Sequence, residues 1–129
     1  MKSQIGLWID RREAVIVTLI DQLEEITRIT SDVEELVSDA TAPHASQQDR
    51  HKKRIDNQLN KYYGKIINTI HNAGSILIFG PGEAKHDLQK KLERQGLSEY
   101  ILAVETSDSM TEAQIVATVK HYISKMSAK

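Results

Sequence analysis

The residues best placed to do chemistry are cations. Arg50, Arg54, Lys61 and Lys65 fall within about 40° of one line when residues 50–73 are wound at 100° per residue. The run Arg50-His51-Lys52-Lys53-Arg54 concentrates further charge, Lys53 included, at the start of the segment. The apolar residues of the segment, Ile55, Leu59, Tyr62, Tyr63, Ile66, Ile67 and Ile70, recur at helical spacing on the other side. A helix built this way docks by its apolar face and points its cations outward. An outward row of Lys and Arg suits a phosphate backbone, where each contact releases a counterion. No aromatic residues are interleaved with the cations for base stacking, so the expected contacts are to phosphates rather than bases. An ordinary solvated face is the plainer reading of the same row.

A second candidate is Phe79-Gly80-Pro81-Gly82-Glu83-Ala84-Lys85, which joins a short apolar strand to a helix. Backbone N–H groups at such a junction can hold an anion, with Gly80, Gly82 and Lys85 as the participants. The spacing is neither a Walker A loop nor a dinucleotide fingerprint, and a tight structural turn accounts for it equally. A third candidate is Asp10, at the end of the first strand, where a carboxylate can hold a divalent metal if others approach; Glu105 and Asp108 are the nearest prospects. Within Asp10-Arg11-Arg12-Glu13 it also reads as a turn residue. The five histidines show no zinc-binding spacing, no serine is flanked as a nucleophile, and no cysteine is present. No metal, cofactor or catalytic residue is assigned.

These residues need elements to carry them. Residues 4–20 read as a hairpin, with alternating Ile5, Leu7 and Ile9 and then Ala14 to Leu19. A third strand follows at 23–30, giving an antiparallel meander. Trp8 is out of phase with its neighbours and is expected on the opposite sheet face. Residues 38–49 carry no strongly apolar side chain and read as a mobile loop. The long helix over 50–73 is expected to start at an Asp49 cap and to stop at Gly74. Buried strands at 76–79 and 100–104 alternate with helices at 83–95 and from Thr111, where Gln114 completes a capping box. The last helix turns Ile115, Val116, Val119, Tyr122, Ile123 and Met126 inward. The order βββ-α-β-α-β-α predicts a single α/β domain over 1–129, with one mixed sheet and packed helices.

Length, charge and composition bound the rest. A chain of 129 residues has room for one core. Residues 1–49 carry 4 basic and 10 acidic side chains, whereas residues 50–94 carry 10 basic and 4 acidic. That division fits either an anionic partner or attraction between oppositely charged regions. No apolar run is long enough for a membrane span, and the chain opens straight into a strand pattern, so a cytoplasmic protein without a signal peptide is expected.

The pattern over roughly residues 4–125 resembles the middle domain of the archaeal and eukaryotic class-1 translation termination factors and of Pelota, and the small bacterial translational machinery proteins of similar layout. The resemblance is carried by the hairpin, the basic helix start at Arg50–Arg54, the Ile76-Leu77-Ile78-Phe79-Gly80-Pro81-Gly82-Glu83-Ala84-Lys85 junction, the strand Ile101-Leu102-Ala103-Val104 and the helix from Thr111. It implies a ribonuclease-H-like sheet and a partner in the ribosome, its RNA or tRNA. The termination factors carry Gly-Gly-Gln in the loop before the basic helix. The matching loop here, about Asp39 to Asp49, holds Gln47 and Gln48 but no glycine, so hydrolysis of peptidyl-tRNA is not carried across. The leading expectation is a non-enzymatic, translation-associated RNA-binding protein using Arg50, Lys53, Arg54, Lys61 and Lys65. A metal-dependent phosphoryl or nucleic-acid-processing enzyme built on Asp10, and a homo-oligomer pairing the basic stripe with the acidic first third, remain as alternatives.

Overall fold

The computed structural model describes residues 3–21, 23–33 and 45–127. Five strands, β1 (Gln4–Ile9), β2 (Glu13–Ile20), β3 (Leu23–Thr30), β4 (Ser75–Gly80) and β5 (Ile101–Thr106), form one mixed sheet in the order β3-β2-β1-β4-β5. β1, β2 and β3 pair antiparallel, and β4 and β5 join in parallel. Among the described residues three α-helices pack on the sheet: α1 (Ala45–Ile70), α2 (Ala84–Arg94) and α3 (Glu112–Ser127). This is the α/β architecture and element order expected from the sequence.

The two sheet faces have separate cores. Ile5, Leu7, Ile9, Ile16, Ile76 and Ile78 point to one face, where they meet Leu59, Tyr62, Ile66 and Ile70 of α1 and Leu88 and Leu92 of α2. Trp8, Val15, Val17, Leu77 and Phe79 point to the other and meet Ile115, Val119 and Ile123 of α3. Alternation along β1 therefore feeds both cores, since successive side chains leave a strand on opposite sides. Trp8 lies on the second face as its phase requires, and its indole N–H donates to the Asp108 carbonyl at 3.1 Å.

Local boundaries depart from the pattern in informative ways. α1 begins at Ala45, so Asp49 is inside the helix and not its cap, and the last part of the loop read over 38–49, at 45–49, is helix; positions 38–44 lie outside the described residues. Ala-Ser-Gln-Gln offers no apolar periodicity, and helix propagates through it from the docked turns beyond. α1 ends at Ile70, short of Gly74, whose N–H donates instead to the Ser3 carbonyl at 2.8 Å. α2 does end at the expected glycine: Gly96 has φ 76, and the N–H groups of Gly96 and Leu97 return to Glu93 and Leu92. The capping box on α3 is formed, with Gln114 N–H to Thr111 Oγ1 at 3.1 Å and Thr111 N–H to Gln114 Oε1 at 2.9 Å. β5 is only half-buried rather than a fully buried strand, because it is an edge of the sheet. The side chain of Met126 lies outside the described residues.

Two glycines set how closely layers approach. A Cβ on Gly6 would stand 2.4 Å from Val119 Cγ2, so this position in β1 lets α3 sit against the sheet. Gly80 has φ 151, and a Cβ there would lie 2.1 Å from the Ile9 carbonyl oxygen. Gly6→Ala is expected to cost about 1–3 kcal/mol by overpacking, and less when combined with Val119→Ala than the two single costs added. Gly80→Ala meets backbone, so no side-chain trimming relieves it and its cost exceeds that of Gly6→Ala. Urea unfolding of the four variants checks this ranking.

Candidate nucleic-acid interface

α1 is fastened before its outer face is considered. Leu59, Tyr62, Tyr63, Ile66, Ile67 and Ile70 are buried, each contributing about 1.5–3 kcal/mol through burial of apolar surface. Two side-chain hydrogen bonds fix the helix against the strand ends. Gln58 Nε2 donates to the Ser31 carbonyl at 2.8 Å, and the Tyr62 hydroxyl donates to the Asp10 carbonyl at 2.9 Å. On the flank toward α2, the Tyr63 hydroxyl donates to Asp87 Oδ2 at 3.3 Å, and Lys91 Nζ lies 5.9 Å from the Tyr63 ring centre.

With the apolar face anchored, Arg50, Lys53, Arg54, Lys61 and Lys65 are all exposed. None of the five forms an ion pair among the described residues. Exposed Asn57 and Asn68 accompany them. Because the helix starts at Ala45, the cations at 50–54 lie beyond its first turn, where the macrodipole opposes them less than an Asp49 start would require. His51 differs from its neighbours: it is half-buried, and its Nε2 has no hydrogen-bond partner among the described residues.

The other sequence candidates stand apart. Lys85 is 3% exposed, and its Nζ donates to the Gly82 carbonyl at 2.5 Å. That bond directs the ammonium into its own turn; Gly82 has φ 64, and exposed Glu83 stands at the start of α2. Asp10 is committed to its hairpin. Its Oδ1 accepts from the N–H groups of Arg12 at 2.7 Å and Glu13 at 2.8 Å, the ordinary work of a turn aspartate. Among the described residues no group of three or more His, Asp or Glu converges as a metal site.

The basic side of α2 carries no motif that singles it out in the sequence. Lys90, Lys91 and Arg94 line an open groove of about 420 Å³ between α1 and α2, facing Asp56, Asn60 and Tyr63. Their helical spacing was visible, but only the packing of α2 beside α1 places them in the same layer as the stripe.

Solved structures share this architecture. The chain is similar to the Pelota protein of Thermoplasma acidophilum (16% identity, TM-score 0.59, covering 91% of this chain and 31% of that one). It is similar to Pelota of Archaeoglobus fulgidus (13%, TM-score 0.57, 95% and 32%) and to an archaeal translation termination factor (12%, TM-score 0.57, 92% and 34%). The chain therefore spans about a third of the length of these proteins. No family model and no curated protein matches it by sequence. The resemblance drawn from the residues is thus present in the fold. No helix among the described residues is long and apolar enough to cross a membrane.

Burial raises the hydroxyl pKa of both Tyr62 and Tyr63 well above the usual phenol value; the carboxylates of Asp10 and Asp87 reinforce the shift at Tyr62 and Tyr63 respectively. A pKa raised on folding stabilises the native state below the unfolded phenol value of 10.0 and loses that contribution as pH rises through the folded value. Stability is therefore expected to fall above pH 10, and to fall less steeply in Tyr62→Phe. That variant also loses about 1 kcal/mol at neutral pH with its hydrogen bond to Asp10. Denaturant melts at neutral and alkaline pH measure both effects.

Proposed function

We propose that this chain is a translation-associated binding protein that meets ribosomal RNA or tRNA through the outer face of α1. The observation that carries the reading is the row Arg50, Lys53, Arg54, Lys61 and Lys65, exposed and without ion pairs among the described residues, on a helix whose other face is locked into the core. The partner class comes from the fold shared with Pelota and an archaeal termination factor. The chemistry is phosphate neutralisation, which positions a protein on RNA without reading its sequence.

The proposed role is binding, not ester hydrolysis. The segment ahead of the stripe contains no glycine between Asp39 and Asp49, and Gln47 and Gln48 fall within α1. The work of the ribosome-bound protein would then rest on occupancy of a site and on what the bound domain excludes or recruits. Lys90, Lys91 and Arg94 on α2 extend the same positive layer and would add non-specific attraction.

Five phosphate contacts predict a slope of about −3.5 to −4.5 in log affinity against log salt. Co-sedimentation with ribosomes over a salt series measures it. Changing Arg50, Arg54, Lys61 and Lys65 to Gln should reduce the slope to about −1 and abolish binding at moderate salt. Binding that ignores salt, or that survives the fourfold change, contradicts the proposal.

A further inference from the structure

Among the described residues the outer edge of β3 is unpaired, and its charge pattern names a partner. β3 is eight residues long, contains no proline or lysine, and matches β2 residue for residue from Leu23 to Thr30 without a bulge. No described strand lies on its outer side. Natural edges are usually blunted by shortness, charged side chains, proline or a bulge; β3 is neither short nor bulged and has no proline or lysine, and its charges, Glu24, Glu25 and Arg28, are of both signs, so they repel some partners and fit others. The opposite edge, β5, is shorter, and its pairing with β4 is interrupted by a register shift. Exposed apolar residues also gather here: Leu23 is 74% exposed, Ile20 42% and Ile26 38%.

We infer that β3 joins two copies of this chain edge to edge, antiparallel, through a two-fold axis at Ile26. Glu24, Ile26 and Arg28 stand opposite Leu19, Val17 and Val15 and so share the α3 face of the sheet. An axis normal to the sheet at Ile26 keeps each face continuous. It sets Ile26 against its counterpart, Glu24 against Arg28 and, on the other face, Leu23 against Ile29. Among registers that keep the faces matched, this is the one in which glutamate meets arginine. An axis at Glu24, Glu25 or Arg28 opposes like charges, which destabilises a cross-strand pair. An axis at Thr27 leaves both charges facing uncharged residues.

The side chains are placed for the extension. Glu24 pairs with Lys120, and Arg28 pairs with Glu13 and reaches Glu112 at 3.4 Å. Glu24, Lys120 and Glu112 line the rim of a groove between β3 and α3, floored by Ile26 and Val116, while Arg28 and Glu13 line a separate recess beside Trp8. Pairing would bring the two grooves together and would put both α1 helices, with their basic rows, on one face of a ten-stranded sheet. An edge contact of this length is small, so association is expected to depend on concentration.

Sedimentation equilibrium across a concentration series should show a mass rising from 14.6 kDa toward twice that value. Glu24→Arg and Arg28→Glu each place like charges across the axis and should be monomeric alone, while their equal mixture should associate, because the charges oppose again in the mixed pair. Circular dichroism verifies that each variant is folded. If either misfolds, the cysteine-free sequence supplies a second readout: Ile26→Cys should form a disulfide-linked dimer under mild oxidation, and Leu102→Cys on the other edge should not. A wild type that stays monomeric at every concentration overturns the inference. So does a dimer indifferent to the edge changes, including one dissolved by salt through contact between the basic stripe and the acidic first third.

Discussion

The structure depends on β1 being buried on both faces and paired on both edges. Its Ile5, Leu7 and Ile9 meet one helical layer, Trp8 meets the other, and Gly6 gives α3 room to approach. Antiparallel β2 occupies one edge and parallel β4 the other. A strand in that position fixes everything around it. The parallel partner requires a long crossover, which α1 provides, and the crossover must bury an apolar face on the sheet. Once α1 has done so, the cations between its apolar positions have only the outward direction left. The candidate interface is thus a consequence of how the sheet is closed.

The same constraint explains what could be read from the chain beforehand. Strand alternation in 4–20, the helical spacing from Ile55 to Ile70 and the punctuation at Gly80 and Gly96 are local signals, and they specified the elements and their order. The exposed row on α1 was legible for the same reason, since the periodicity that identifies the buried face also identifies its opposite. The start of α1 at Ala45 was not, because polar residues enter a helix by propagation from docked turns and leave no apolar mark. The edge position of β5 was not either: Ile101, Leu102 and Val104 are as apolar as a central strand, and only sheet order shows that one side is unpaired.

Individual polar residues were the least legible. Lys85, Asp10 and His51 each stood in a motif of plausible chemistry. The fold turned Lys85 to a carbonyl of its own turn, spent Asp10 on two backbone N–H groups and left His51 half-buried among exposed neighbours in sequence. Conversely, Lys90, Lys91 and Arg94 gained significance only from α2 lying beside α1. A charged side chain declares what it can do by its type, but its neighbours across the fold decide which way it points.

The central claim is spatial: if ribosomal RNA is met by the outer face of α1, protection must fall there and not elsewhere. Lysine acetylation footprinting with and without ribosomes, read residue by residue by mass spectrometry, tests this without altering the protein. The account predicts strong protection of Lys53, Lys61 and Lys65, with Lys120 on the opposite sheet face remaining reactive. Uniform reactivity, or protection centred on Lys120, would contradict it.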